Sequence, residues 1–316
     1  MKEIGGYIEF EYNHGKMLHG NAILLNCGRR ACSYLIKSKS IKKIWIPKFS
    51  CGSVLEPFEK EKCNINFYPI GKDFLPVLDN VPPEDWIVLI NYYGQIDNKK
   101  INDISLTYPH IIVDNTQAYF QEPVESIDTV YTCRKFFGVT DGAILYSDKI
   151  LTEEFSIDES YSRMKYLLDR FERTAQEFYE LYAKNNDIFN DEPIKRMSKL
   201  TENILHGIDY ENVAQRRKSN FTFLHDKFNA YNKLELVVPE GAFMYPLYIE
   251  GGGRFRKILQ EKRIYIPTLW PDVLKLCSEN DEEYRMACDI LPLPVDQRYS
   301  LDDIKYMALE VLRCIS

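Results

Sequence analysis

The sequence predicts an α/β protein with a mostly parallel central sheet flanked by helices and a smaller C-terminal α+β domain. Three observations predict it. Short runs rich in β-branched and aromatic residues recur through the first half and sit between turn-formers. The gaps between these runs leave room for the helical crossovers that parallel strands require. Beyond Asp148 the texture changes to longer segments with apolar residues at helical spacing.

The strand-like runs are Ile44-Trp45-Ile46, Trp86-Ile87-Val88-Leu89-Ile90, Ile111-Ile112-Val113, Thr129-Val130-Tyr131 and Ala143-Ile144-Leu145-Tyr146. Continuous apolar strands of this kind are buried on both faces. Helices are expected from Cys32 to Lys37 and from about Cys51 to Lys60. A single long amphipathic helix is read over 158–184, through Tyr161, Met164, Leu167, Leu168, Phe171, Phe178 and Leu181. Another spans about 212–231, with Arg216, Arg217 and Lys218 on a wet face. Strand-like text returns at 243–249 and at Ile264-Tyr265-Ile266, and the chain closes on a helix over 301–312 capped by Ser300. The division implied is 1–205 for the large body, including an N-terminal arm, and 206–316 for the small one.

At 316 residues and 45% hydrophobic content the chain can fill a substantial core. Its 40 basic and 47 acidic side chains leave a net charge of -7, with no basic excess to neutralise a phosphate backbone, so nucleic acid is not an expected partner. No apolar run approaches the roughly 20 residues of a membrane helix. The opening Met1-Lys2-Glu3-Ile4-Gly5-Gly6 lacks an apolar signal region. Eight cysteines without a C-x-x-C pair point to a reduced, cytoplasmic setting, and the five scattered histidines lack zinc-ligand spacing, so no metal is assigned.

In open α/β sheets the ligand sits beyond the carboxyl ends of the strands. Four runs end in polar residues there. Val113 leads into Asp114-Asn115-Thr116-Gln117, Tyr131 into Thr132-Cys133-Arg134-Lys135, Ile90 into Asn91-Tyr92-Tyr93-Gly94, and Ile46 into Pro47-Lys48-Phe49-Ser50-Cys51. Together they surround one expected pocket. Gly28-Arg29-Arg30-Ala31 stands where a turn enters a helix, and free N–H groups at a helix start are a natural phosphate site.

These segments also carry a resemblance. "VDNTQAYF" (113–120) followed by "YTCRKFFGVTDGAIL" (131–145) is similar to the aspartate and lysine segments of fold-type I enzymes that use pyridoxal 5'-phosphate (PLP). "INYYGQIDNKKI" (90–101), "LNCGRRACSYLI" (25–36), "IWIPKFSCGSVLEPF" (44–58) and "ILPLPVDQRYSLDDI" (290–304) resemble segments of the DegT/StrS group of sugar aminotransferases, in the same order. The resemblance spans most of the chain. It implies a fold-type I aminotransferase that uses PLP, held by residues 1–205, to move an amino group from an amino acid donor to a keto sugar, expected to be nucleotide-linked. It also implies a homodimer.

On that resemblance Lys135 forms an imine with the cofactor aldehyde and then shuttles a proton at the substrate carbon. Asp114 holds the pyridine nitrogen protonated. Gln117 reaches the ring hydroxyl, and Gly28, Arg29, Arg30 and Thr132 contact the phosphate. Arg298 grips a substrate carboxylate, and Tyr93 and Trp270 line the pocket. The chain departs from the pattern in three ways: Cys51 stands where an aromatic ring usually stacks on the cofactor, so that stacking would be weaker or supplied by Phe49; Thr140-Asp141-Gly142 replaces the usual Gly-Gly; and the chain is shorter than typical members. Two rival readings stay open: a decarboxylase or eliminase of the same fold, and a retired scaffold that binds PLP or nothing.

Overall fold

The computed structural model describes residues 4–315; Met1, Lys2 and Glu3, the start of the segment read for a signal, lie outside them. A seven-stranded sheet forms the centre, from β1 (Ile23–Leu25), β2 (Lys43–Pro47), β3 (Asn64–Tyr68), β4 (Trp86–Ile90), β5 (Ile111–Asp114), β6 (Asp128–Thr132) and β7 (Ala143–Tyr146). Its order is β1-β7-β6-β5-β4-β2-β3. Strands β2 to β6 pair in parallel, whereas β7 runs antiparallel to both β6 and β1. Ile23, Leu24 and Leu25 of β1 pair with Leu145, Ile144 and Ala143. The parallel crossovers include α1 (Gly28–Lys39), α2 (Gly52–Lys60) and α3 (Asn98–Thr107). Asp97 caps α3 by accepting from the Lys100 N–H at 2.8 Å.

The expected long helix over 158–184 is broken. A 3-10 turn (Tyr161–Arg163) leads into α4 (Lys165–Glu172), and a second 3-10 turn (Ala175–Phe178) into α5 (Tyr179–Asp191). The break falls at Thr174, whose backbone is extended and whose hydroxyl bonds the Glu177 carboxylate at 2.8 Å. Ser/Thr followed three residues later by Glu favours a helix start, so this local signal overrides the continuing apolar period.

The C-terminal part contains α6 (Lys199–His206), α7 (Tyr210–Phe228), β8 (Met244–Tyr248), α8 (Gly252–Glu261), α9 (Val273–Leu276), α10 (Glu282–Asp289), β9 (Ile290–Pro294) and α11 (Leu301–Ile315). Strands β8 and β9 make a two-stranded antiparallel sheet. Residues 264–266 form no strand, contrary to expectation; they have no ladder partner, and Pro267 follows. Ser300 does cap α11: its hydroxyl accepts from the Asp303 N–H, and the Asp303 carboxylate takes the Ser300 N–H at 2.8 Å. Arg217 is the sharpest departure, since it lies inside the protein at 1% exposure rather than on the wet face with Arg216.

Two apolar cores result. The larger surrounds the main sheet and takes in Phe243, Trp270, Met286 and Ile290 from the C-terminal part. The smaller joins Phe221, Leu224 and Phe228 of α7 to Leu291 and Leu293 of β9 and to Ile304 and Val311 of α11. Among the described residues no helix is long and apolar enough to cross a membrane.

Candidate active site

The carboxyl ends of the parallel strands open into a cleft of about 3230 Å³. Its floor carries Asp114, Thr116, Gln117, Thr132, Arg134 and Lys135; α1 contributes Gly28 and Arg29, and α2 begins at one side with Cys51 as its cap. The far wall comes from the C-terminal part, including Phe243, Arg256, Trp270 and Arg298.

Lys135 follows β6 in a tight turn closed by the Phe136 N–H to the Cys133 carbonyl at 3.0 Å. Its amine donates to the Thr116 hydroxyl at 2.9 Å and lies 5.6 Å from the centre of the Phe243 ring. The side chain is exposed to the cleft, yet protein surrounds the amine closely enough that desolvation dominates and lowers its pKa. Asp114 and Cys51 oppose that shift, and Arg134 adds to it. Asp114 ends β5, with one carboxylate oxygen taking the Thr116 N–H at 2.9 Å. That bond fixes the carboxylate within electrostatic reach of Lys135.

The start of α1 faces open space. The N–H groups of Arg30 and Ala31 bond the Cys27 carbonyl, whereas those of Gly28 and Arg29 have no acceptor among the described residues. Cys27 offers no side-chain cap, and a Cβ built on Gly28 would meet nothing within 4 Å. Two free donors at the positive end of a helix suit an anion. Behind them, Asn26 accepts the Gly142 N–H at 2.6 Å and donates its own N–H to the Lys195 carbonyl at 3.0 Å, which anchors the turn.

Gln117 spends its carbonyl oxygen on the Tyr93 N–H at 2.9 Å, which leaves its amide donors for the cleft. Thr132 ends β6 with its hydroxyl 3.4 Å from the Gly142 carbonyl. Cys51 places its thiol 2.8 Å from the Ser53 hydroxyl. Arg298 lines the cleft but is engaged: Nε and Nη2 bond the Asp296 carboxylate at 2.6 and 2.8 Å. Burial pushes the Asp296 carboxyl up, but the bonds from Arg298 and the attraction of Arg298 and Arg217 outweigh it and hold the group below its ordinary range.

Three expected site residues lie elsewhere. Arg30 points away from the cleft and is paired with Glu56 at 2.5 Å, because it shares the inner face of α1 with Tyr34. Tyr93 is wholly buried, packed on Phe74 and Trp270 with its hydroxyl unpartnered, since the left-handed turn at φ 55° folds it inward. Phe49 is also wholly buried, 4.5 Å from the Trp270 ring, and cannot stack in the cleft. Sequence reasoning missed Thr116, although it stands in the polar run after β5, and it missed Phe243, for which no sequence signal exists. Among the described residues no group of His, Cys, Asp and Glu could hold a metal ion.

The donor set fits an anionic aldehyde cofactor such as PLP. It offers an amine of lowered pKa, a carboxylate on the same floor and a helix start with two N–H groups free of protein acceptors among the described residues. No protein-family model matches the chain, and neither does any curated protein. Solved structures do. A sugar aminotransferase from Micromonospora echinospora aligns at 13% identity over 92% of this chain and 86% of that one, with a TM-score of 0.63. A DegT DnrJ EryC1 StrS aminotransferase from Brucella abortus aligns at 12% identity over 93% and 85%, with a TM-score of 0.63. A protein from Streptococcus pneumoniae described as a sugar aminotransferase in its PLP form aligns at 12% identity over 92% and 87%, with a TM-score of 0.63. The chain has the fold of these proteins.

Proposed function

We propose that the protein is a PLP-dependent aminotransferase that moves an amino group from an amino acid donor to a keto sugar carried on a nucleotide. The observation that carries the reading is the floor of the cleft, where the Lys135 amine donates to the Thr116 hydroxyl, the Thr116 N–H holds the Asp114 carboxylate, and the start of α1 lines the same space. The shared fold with the three aminotransferase structures supports it. When bound, PLP supplies a conjugated ring that withdraws electrons from the substrate carbon.

The chain's own residues do the rest. Because its pKa is lowered, Lys135 holds more neutral amine near neutral pH than an ordinary lysine, and it both binds the aldehyde and moves the proton at the substrate carbon. Asp114, pinned by the Thr116 N–H, keeps the ring nitrogen protonated. Gly28 and Arg29 N–H groups and the Thr132 hydroxyl take the phosphate, and the Gln117 amide takes the ring hydroxyl. Arg298 receives the donor carboxylate once it leaves Asp296. Basic side chains along the walls, including Lys257, Lys262 and Arg263, suit an anionic acceptor.

The same reading divides the chain at 205/206 and makes it a cytoplasmic homodimer. The eight free cysteines support the compartment. Exposed Tyr161, Phe171 and Tyr179 at the mouth of the cleft support a covering second copy. Size measurement in solution tests the assembly.

The function is tested by adding PLP and then excess glutamate to the purified protein. A visible absorption band should form, be lost with glutamate, and be accompanied by one equivalent of keto acid; a nucleotide-linked keto sugar should then restore it. Lys135→Ala should never form the band. Release of carbon dioxide or ammonia instead would move the protein to the decarboxylases or eliminases, and no band in the unaltered protein would leave a scaffold.

A further inference from the structure

Arg217 is a buried cation that forms no ion pair among the described residues. From α7 it donates through Nε to Gln297 Oε1 at 2.7 Å, through Nη1 to the Ala242 carbonyl at 2.9 Å and through Nη2 to the Phe136 carbonyl at 3.2 Å. Its guanidinium lies 4.6 Å over the Phe136 ring. Gln297 donates to the same Phe136 carbonyl at 2.8 Å. One backbone oxygen, in the residue after Lys135, therefore takes two donors from the C-terminal part. One turn further along α7, Asn220 bonds the carbonyls of Val295 and Tyr299 at 3.2 Å each, so the loop that presents Gln297 is held at both ends.

Packing alone does not explain this arrangement. Burying a guanidinium costs more than burying an apolar side chain of equal volume, and the nearby carboxylate of Asp296 is committed to Arg298. Desolvation lowers the Arg217 pKa to about 10, with Asp296 opposing and Arg298 adding to the shift. What the cation provides is direction: three donors aimed at three fixed acceptors, one of them beside the reactive lysine.

We propose that Arg217, acting through Gln297 and the Phe136 carbonyl, is a positioning residue that sets the turn bearing Lys135 and couples it to the loop bearing Arg298. The proposal rests on the reading of Lys135 as the cofactor lysine. Because Asp296, Gln297 and Arg298 are consecutive, a carboxylate that draws Arg298 from Asp296 pulls on the residue that holds Phe136. Seating of the donor is thereby felt at the lysine.

The test compares Gln297→Met, which changes no charge, with Arg217→Lys and Arg217→Met. The first readout needs no cofactor: the pH profile of Lys135 acylation by acetic anhydride, followed by mass spectrometry against the other lysines. Asp114, Cys51 and Arg134 face the amine and stay unchanged in all three variants. In the unaltered protein the profile should turn below that of ordinary lysines. In Gln297→Met it should move toward them, with kcat for amino transfer falling about tenfold or more while donor KM changes less, as for a reacting group misplaced by a fraction of an ångström. Arg217→Met should shift the profile further, and Arg217→Lys should recover part of it.

A Lys135 profile that stays put in Gln297→Met and Arg217→Lys, with only the melting temperature lowered, would overturn the proposal in favour of a packing role. If Arg217→Met does not fold, the other two variants decide. If the unaltered protein fails to take up PLP, the cofactor reading falls, and the acylation profile still decides whether Gln297 and Arg217 set Lys135.

Discussion

Replacing Asp141 with alanine should destabilise the protein by about 2–4 kcal/mol, and the structure supplies the reckoning. The Asp141 carboxylate is fully buried and accepts from the Ser198 N–H at 2.8 Å, from the Ser198 hydroxyl at 2.8 Å and from the Thr201 hydroxyl. Ser198 caps α6, accepting the Thr201 N–H at 3.1 Å. Without the carboxylate the Ser198 N–H is left buried and unpaired, at a cost of roughly 1–3 kcal/mol, and the Thr201 hydroxyl adds about 1 kcal/mol. The Ser198 hydroxyl keeps Ser160 as a partner at 2.7 Å, and relief of the buried charge offsets part of the loss.

Scanning calorimetry should show a melting temperature roughly 3–6 °C lower, since an unfolding entropy of about 2.1 cal/mol/K per residue over 316 residues gives about 1.5 °C per kcal/mol. Burial raises the Asp141 carboxyl above its ordinary value against the bonds from Thr201 and Ser198. A group raised in the folded state contributes stability that is present below its unfolded pKa and is lost as pH rises through its folded one. The margin of the unaltered protein over Asp141→Asn should therefore narrow from acid toward neutral pH. An alanine variant within about 0.5 kcal/mol of the unaltered protein would refute the reasoning, because surface substitutions alone produce changes that small.

Two further outcomes follow from the site. Arg30→Met should lower stability by about 1–3 kcal/mol, because Glu56 loses the Arg30 bonds but keeps Lys60, while PLP uptake by the folded fraction stays unchanged; loss of uptake in equilibrium dialysis would return Arg30 to the phosphate. Asp114→Asn should keep PLP bound but slow amino transfer by about a hundredfold or more, since a neutral amide no longer holds the ring nitrogen protonated; single-turnover rates near those of the unaltered protein would remove Asp114 from that role.

The central strands were legible because parallel strands covered on both faces read as unbroken apolar runs, as in Trp86–Ile90. The edges were not. Strand β1 has three residues, and β3 (Asn64–Tyr68) mixes polar and apolar residues on the outermost position of the sheet. Polar residues after the central strands marked the cleft floor correctly in space, since that rule needs only strand ends. Side-chain direction was harder. Arg29 and Arg30 are neighbours in sequence, but about 100° of helical rotation sends one to the cleft and the other to Glu56. Arg217 had a signal that went unread: Ala214, Arg217, Phe221, Leu224 and Phe228 form one buried stripe at helical spacing. Its two basic neighbours masked the position.

The pairing of β1 with β7 also bears on how the protein is made. The segment that presents Gly28 leaves the ribosome ahead of its partners: β1 has no strand neighbour until Ala143–Tyr146 has been synthesised, and Asn26 awaits Gly142 and Lys195. At synthesis rates of about 5–20 residues per second, the early segment spends seconds as an unpaired strand, while the parallel strands behind it can already assemble. The sheet can therefore assemble from its middle and close backward onto β1. The helix start that faces the cleft is therefore set only after the turn bearing Lys135 has been synthesised.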